Sequence, residues 1–320
     1  MSSTDGPSSG ATGNGCAPTG SMPPDAPLAH RVITAEDGEE IHYYVGGVDD
    51  PAAPLLVFLH GLGSNHTRWH RLVRTPFLRE RCRLIVLDVR GHGASHARRF
   101  VDQDGVGRDV RVLLARVGAR GAILVGHCLG ANLAVRVWEL CPDRVGGMVF
   151  IEPFVVSMLR RDLAVIRVLL LPLFWLVYGV VYIAGAVGVS RTRFRFVDYE
   201  SYDEWVRPRL TSFWAAVRWM GPWIDLQTMP MISYLQAFRT LFAYRPPWSG
   251  ITCPVLVIYG KKAELAGDGG PPSSLGARRI QTVFLDASHF VLTDNVTGVA
   301  EAIEAFVRGT PPGARESPDG

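Results

Sequence analysis

Short apolar runs alternate with longer helical patterns along most of the chain. Six runs are almost continuously apolar, which is typical of strands in a parallel sheet that is covered on both faces. They comprise Leu55–His60, Leu84–Val89, Ala122–His127, Gly147–Ile151, Pro254–Tyr259 and Thr282–Leu285. Two earlier runs, Val32–Ala35 and Ile41–Val45, flank a Glu-Asp-Gly turn and predict an antiparallel hairpin.

Helical periodicity is found between or after these strands, in Arg108–Val117, Ala131–Leu140 and Val299–Val307. Strands that alternate with helices predict an α/β fold, here with an eight-stranded, mostly parallel sheet and helices on both faces. One interval breaks the alternation, because residues 154–250 contain no clear strand and six of the eight tryptophans. We interpret it as a helical, apolar cap or lid, inserted between strands six and seven, over the sheet edge where α/β proteins bind ligands.

The two ends of the chain differ from the rest in composition. Residues 1–27 and 309–320 are rich in Gly, Ser and Pro with few large apolar residues, which predicts disordered tails. The sheet core then comprises residues 28–153 and 251–308. The first stretch also lacks the basic start and apolar run of a secretory signal.

Overall composition narrows the class of protein. The 320 residues are 48% hydrophobic and 20% charged, with a formal charge of +3, so a nucleic-acid partner is not expected. Five widely spaced cysteines indicate neither a disulfide framework nor a zinc site. The sequence contains neither a phosphate-binding loop nor a cluster of metal ligands, so no cofactor and no metal are expected. We expect a cytoplasmic protein.

The strongest chemical signal is the pentapeptide GHCLG at residues 126–130, directly after a predicted strand and directly before a predicted helix. A nucleophile on so sharp a strand-to-helix turn needs very small neighbours two residues before and after it, and glycine fills both places. The following helix N-terminus favours a thiolate at Cys128. The alternative is a buried structural thiol, which suits the other cysteines better.

Two more glycine-rich turns follow predicted strands. The sequence HGLG at residues 60–63 can aim backbone N–H groups at a developing oxyanion. The sequence DVRGHGAS at residues 88–95 is interpreted as structural, because its Asp and Arg can tie the loop by hydrogen bonds. We therefore do not expect His92 to be catalytic.

In this order, the three motifs resemble those of the α/β-hydrolase superfamily, over about residues 31–308 without the cap. The resemblance implies an oxyanion hole formed by the backbone N–H groups of Leu62 and Leu129. The usual nucleophile of this superfamily is serine. Cys128 in its place does not change the expected fold, but it leaves the type of reaction undecided. The resemblance also implies a basic histidine just after the last strand, a place occupied by His289.

Two carboxylates are candidates for the acid that orients His289. In many relatives the acid follows the seventh strand, where Glu264 lies one residue from the matching position. In others it ends the sixth strand, as Glu152 does here. We favour Glu152, because a carboxylate at the end of a buried strand is costly without a partner. The other explanation for Glu152 is a salt bridge to Arg160 or Arg161.

Residues 168–189 contain 22 residues without a charge, flanked on both sides by arginines. The length matches a transmembrane helix. A single crossing would, however, separate Cys128 from His289, and Pro172 and three glycines interrupt the segment. Two interpretations remain open, namely a helical pair packed within the cap, or a lipophilic lid in peripheral contact with a membrane surface.

Together these features predict a hydrolase that acts on an ester, lactone or thioester of an apolar acyl group through an acyl-cysteine intermediate. The first alternative is an acyltransferase or cyclase, in which an alcohol or amine takes the acyl group from Cys128. The second alternative is a non-catalytic protein that retains the scaffold and binds a lipophilic ligand. The small apolar acyl substrate is the main partner expected in the first case.

Overall fold

An eight-stranded sheet forms the centre of the protein in the computed structural model, which describes residues 28–97, 101–154, 161–186, 194–209, 222–262 and 280–309. The strands are β1 Ala29–Thr34, β2 Glu40–Gly47, β3 Leu55–Leu59, β4 Arg83–Leu87, β5 Ala122–His127, β6 Val145–Ile151, β7 Val255–Gly260 and β8 Ile280–Leu285. Their order in the sheet is β1-β2-β4-β3-β5-β6-β7-β8. Only β2 runs against the others, so the predicted eight-stranded, mostly parallel sheet is confirmed.

Helices cover both faces of this sheet. The core helices are α1 His70–Val73, α2 Pro76–Arg81, α3 Gln103–Arg116 and α4 Leu129–Leu140, joined after β8 by Val291–Asp294 and Val296–Gly309. One face packs against α3 and α4, and the other against α1, α2 and the last helix. Strands β3, β5 and β7 are buried at every position, which explains their continuous apolar sequences.

Between β6 and β7, the described residues form helices and no strand. The helices are α5 Arg161–Ala186, α6 Tyr199–Val206, α7 Pro222–Thr228 and α8 Met231–Ala243, and the two helices after β8 are therefore α9 and α10. Helix α8 places Ala237 and Leu241 in the main apolar cluster of the core. Its other side belongs to a smaller cluster around Met229, Tyr234 and Leu235, against which α5 packs.

Helix α5 carries most of the uncharged segment at residues 168–189. Phe174, Tyr178 and Val181 pack on the smaller cluster, whereas Leu176 and Ile183 are 65% and 64% exposed. Within the described ranges, no helix is both long and apolar enough to cross a membrane. The contact of α5 with α8 agrees with packing inside the insertion, but no described residue buries the other side of α5.

Element boundaries differ from the sequence predictions by a few residues. Strand β1 begins at Ala29, three residues before the predicted hairpin strand, because its six residues pair with β2 from Ala29 to Thr34. Helix α4 begins at Leu129 instead of Ala131, so it starts directly after Cys128. Helix α10 ends at Gly309, which the prediction assigned to the C-terminal tail. The tails 1–27 and 310–320 lie outside the described residues.

Candidate active site

Cys128 occupies the one-residue turn between β5 and α4. Its φ of 51° and ψ of −111° lie in a region that residues with a side chain rarely adopt. Such backbone strain persists only where the surrounding structure imposes it, and it is common at functional sites. The turn holds the thiol at the C-terminal edge of the sheet, above the strand that precedes it.

Two glycines permit this turn. A Cβ atom on Gly126 would overlap the backbone of Gly130, and a Cβ on Gly130 would overlap the backbone oxygen of Leu59 at the end of β3. The two glycines therefore allow α4 to start against β3 without a clash. The glycine spacing that predicted a nucleophile thus has a direct steric cause.

The loop after β3 lies beside the thiol. A Cβ built on Gly61 would stand 3.3 Å from the Cβ of Cys128, so the loop backbone passes in close contact with the turn. Leu62 from this loop lines the same cavity as Cys128. The backbone N–H of Leu129 interacts with the thiol and lowers its pKa, an effect smaller than that of burial. Both residues that the resemblance implied for an oxyanion hole thus lie next to Cys128.

His289 and Glu152 form a pair at the same sheet edge. The Nδ1 atom of His289 lies 3.2 Å from the Oε2 atom of Glu152. The Oε1 atom of Glu152 accepts a hydrogen bond of 2.5 Å from the backbone N–H of Gly260, the last residue of β7. Glu152 is only 6% exposed and has a φ of 47°, so its own backbone is strained where β6 ends. The other acid candidate, Glu264, lies outside the described residues, as does Arg160.

One cavity of about 90 Å³ brings these groups together. Cys128, His289 and Leu62 line it, and Phe290 and Leu292 add apolar surface. No hydrogen bond joins the thiol to the imidazole in the described part of the chain. The cavity wall is nevertheless shared by the predicted nucleophile, the predicted base and Leu62, one of the two residues predicted for the oxyanion hole.

The protonation state of Cys128 results from opposing effects on its pKa. Burial raises the pKa of the Cys128 thiol to about 11, and the nearby Glu152 carboxylate raises it further, while the Leu129 N–H opposes both. The helix N-terminus does favour the thiolate, as the sequence predicted, through the backbone N–H of Leu129, but desolvation of the charged form outweighs this effect. At neutral pH the group is a thiol, which needs a base to become a nucleophile.

Five further polar residues line the cavity, and none was predicted from the sequence as a site residue: Ser64, Arg68, His127, Asp203 and Thr293. Arg68 lies 2.7 Å from Asp203 of α6, and its Nε donates to Ser64 at 2.8 Å. Residues 135 positions apart form this pair, and no local pattern signals it. His127 is buried, its pKa is lowered well below the usual value by desolvation and then by His289, and its Nδ1 has no hydrogen-bond partner among the described residues.

The loop at residues 88–95 has the structural role that its sequence predicted. Asp88 accepts hydrogen bonds from the backbone N–H groups of His66 and Ala94, both at 2.8 Å. Arg90 is 2% exposed and binds Asp109 through two hydrogen bonds. His92 is buried and its Nδ1 contacts the backbone oxygen of Arg90 at 3.1 Å, away from the cavity that contains Cys128.

The fold and the turn between β5 and α4 together indicate the class of protein to which this chain belongs. The profile of the Alpha/beta hydrolase family matches residues 56–302, so the chain belongs to that family. It is 30% identical over 103 residues to the sn-1-specific diacylglycerol lipase ABHD11 of Mus musculus, a match that covers 32% of this chain and 34% of that protein. It is 34% identical over 131 residues to epoxide hydrolase B of Mycobacterium tuberculosis, covering 39% and 36%. The chain thus spans about a third of the length of these relatives.

Solved structures agree on the fold. An esterase from Exiguobacterium antarcticum has a TM-score of 0.63 at 15% identity, with 87% of this chain and 98% of that chain covered. A hydrolase from Pseudomonas aeruginosa PA01 has a TM-score of 0.61 at 18% identity, with the same coverage. At these identities the similarity shows the fold alone.

Proposed function

We propose that the protein hydrolyses an ester, lactone or thioester of an apolar acyl group through an acyl-cysteine intermediate on Cys128. One observation carries this proposal: a single cavity is lined by Cys128 on its strained turn and by His289, whose other ring nitrogen faces Glu152. A nucleophile, a base and a group that orients the base are the minimum set for acyl transfer to a side chain.

His289 would activate the thiol during attack. An ionised Glu152 only accepts hydrogen bonds, so Nδ1 of His289 carries its proton and Nε2 is left as the base. As the sulfur attacks the carbonyl carbon, the S–C bond forms and the thiol proton passes to Nε2. Because burial keeps Cys128 protonated at rest, this proton transfer accompanies attack instead of preceding it.

The oxyanion of the tetrahedral intermediate would be held by the backbone N–H groups of Leu62 and Leu129. Both residues lie beside Cys128, and donors that are fixed before the reaction stabilise developing charge without rearrangement. Collapse breaks the bond to the leaving group, which takes the proton from His289. The product of this half-reaction is an acyl thioester on Cys128.

Deacylation completes the cycle. Water attacks the thioester, His289 accepts the water proton, and the thiol leaves with that proton as the acid is released. The cysteine itself favours a second candidate, acyl transfer, because a thioester reacts with amines and thiols as well as with water. The same intermediate serves both, and the acceptor decides between hydrolase and acyltransferase or cyclase.

The apolar part of the cavity supports an apolar acyl group. Leu62, Phe290 and Leu292 offer it hydrophobic surface, while Arg68 and Asp203 form the polar side. Lipase and esterase are among the names of proteins similar to this one, which agrees with an ester substrate.

Hydrolysis of p-nitrophenyl esters of increasing chain length tests the proposal. Cys128→Ala should lose at least about a thousandfold in kcat/KM, as expected for removal of a nucleophile. Cys253→Ala, a matched change at a partly buried cysteine outside the cavity, should retain the activity of the unmodified protein. Full activity in Cys128→Ala would contradict the acyl-cysteine route. Apolar ligand binding without turnover in the unmodified protein would favour the non-catalytic binding protein.

A further inference from the structure

Helix α5 has an outer face that no described residue covers. We define it as the five apolar residues Leu173, Leu176, Val177, Val180 and Ile183, which are 38–65% exposed. Their spacing places them on one side of the helix, over a stripe about 15 Å long at 1.5 Å per residue. Phe174, Tyr178 and Val181 lie on the opposite side and pack against the cluster around Tyr234.

Such a concentration of exposed apolar side chains is unusual for a protein surface. Thirteen large apolar residues are exposed in the described part of the chain, and eleven of them lie within residues 154–250. The two others, Val32 and Phe284, lie on the opposite edge strands of the sheet. Contiguous apolar surface of this kind marks an interaction site, whereas single exposed residues do not.

In the sequence, charged residues flank the apolar part of helix α5 and do not interrupt it. Residues 168–190 contain no Asp, Glu, Lys or Arg. Three arginines precede this stretch and three follow it, and Asp162 is the one acidic residue from 160 to 195. An uncharged segment between two groups of arginines in the sequence matches a surface that is apolar inside and anionic at its boundary.

We propose that the outer face of α5 rests on the surface of a lipid bilayer that contains anionic lipids. A bilayer accepts an uncharged apolar stripe without requiring matching polar groups, and the positive charges that flank the stripe are attracted to lipid phosphates. The inner face remains on the protein, so the helix lies in the boundary instead of crossing it.

The position of α5 connects this surface to the cavity. Leu62 of the oxyanion loop packs against the same cluster as the inner face of α5. One layer of side chains therefore separates the membrane-facing helix from the wall of the cavity. The substrate class that follows is an ester carried by a membrane lipid, and this last step alone rests on the proposed function.

Flotation with vesicles tests the surface independently of catalysis. The full chain is mixed with vesicles of phosphatidylcholine, with or without phosphatidylglycerol, and the bound fraction is measured. We expect binding that increases with phosphatidylglycerol and falls at least about tenfold in Leu176→Glu/Val180→Glu, because charges on the inserted face oppose insertion. Val32→Glu/Phe284→Glu, a matched change at the other exposed apolar positions, should bind within about twofold of the unmodified protein.

Each remaining outcome has a defined meaning. Equal loss in both double variants, or no binding to either vesicle, would overturn the proposal. So would a dimer in solution that Leu176→Glu/Val180→Glu converts to a monomer, because a second copy would then cover the outer face. Cys128→Ala should float like the unmodified protein, so a failure of the acyl-cysteine chemistry would leave the membrane surface standing.

Discussion

The strands of the sheet core and helix α5 of the insertion are both continuous apolar runs, but they lie in different surroundings. Every residue of β5 is buried, with helices on both faces of the sheet around it. Helix α5 is buried on one side only, against α8, and presents Leu176 and Ile183 to the outside. Hydropathy alone cannot distinguish the two cases, because it shows how apolar a segment is and not which surface covers it.

The sheet core and the insertion also contribute different parts of the molecule's surface and cavity. The ends of the core strands hold Cys128, Glu152 and His289, the three residues proposed for catalysis, with a strained backbone at the first two and a contact between the last two. The insertion contributes Asp203 to the cavity and a surface to the exterior. Substitutions in the core and in the insertion should therefore change different measured quantities.

The largest effect is expected at the strand end that bears Glu152. Glu152→Gln should lower kcat about 10⁴-fold with little change in KM, since the amide disfavours the tautomer in which Nε2 of His289 is the base. Ester hydrolysis at saturating substrate measures this. Glu304→Gln, at a half-buried position of α10 outside the cavity, is the matched control and should be silent. A similar fall in both variants, or a fall that tracks lost stability, would contradict the role of Glu152.

The next largest difference is expected in the free energy of unfolding when one residue of each region is replaced. Phe58 is fully buried in β3 and its ring centroid lies 5.2 Å from that of Trp69. Phe58→Ala should lower the free energy of unfolding by about 3–5 kcal/mol, because it leaves a cavity in the core. Leu176→Ala on α5 should change it by less than about 0.5 kcal/mol. Urea unfolding of both variants tests this, and a large loss at Leu176 would mean that the outer face is buried.

The pH dependence of alkylation tests the protonation state of Cys128. With a pKa of about 11, the thiolate fraction grows about tenfold per pH unit. Alkylation by iodoacetamide, followed by the intact mass, should therefore accelerate about a hundredfold from pH 7 to pH 9, as the thiolate fraction does. Cys128→Ala supplies the background from other thiols. A rate that is already constant between pH 5 and pH 8 would indicate a resting thiolate paired with His289 and would contradict the raised pKa.

The smallest effect concerns Asp225 of α7, which packs against Gly63 of the loop after β3. Burial raises the pKa of Asp225 to about 8, only partly opposed by Arg68. Between about pH 4 and pH 8 the folded protein therefore keeps a proton that the unfolded chain has lost, and the free energy of unfolding falls as pH rises through this window. Partial exposure limits this change to roughly 1–2 kcal/mol.

Asp225→Asn removes the ionisation and should abolish that trend. Its melting temperature should exceed that of the unmodified protein by a few degrees at pH 8, at about 2–4 °C per kcal/mol, and match it near pH 4. Asp198→Asn, at an exposed position of the same insertion, is the control. A melting-temperature difference that is the same at both pH values would contradict the raised pKa.

Much of the fold could be predicted because each strand carries its own signal. The eight strands were located from apolar runs such as those of β3 and β5. Their boundaries differ by up to three residues, because pairing extends β1 back to Ala29 whereas β4 already ends at Leu87. Cys128 was found because its turn demands glycine at two fixed positions, a demand that is local in sequence. Glu152 was favoured by a similar local argument, the cost of an unpaired carboxylate at a strand end.

What could not be predicted depends on contacts between distant parts of the chain. The pair of Arg68 and Asp203 joins the first core loops to the insertion, and no spacing announces it. The pKa of Cys128 depends on how fully its surroundings exclude water, which outweighs the helix N-terminus that is visible in the sequence. Which side of α5 is exposed likewise depends on its contact with α8, which lies far away in the sequence.

Covalent capture tests acyl-cysteine catalysis most directly. The protein is incubated briefly with a panel of acyl thioesters and activated esters, and its intact mass is measured beside that of Cys128→Ala and Cys253→Ala. We predict a gain of one acyl group in the unmodified protein and in Cys253→Ala, and no gain in Cys128→Ala. The adduct should decay by hydrolysis, or faster when amines or alcohols are added. Turnover that persists in Cys128→Ala, or an adduct that forms there equally, would contradict catalysis through Cys128.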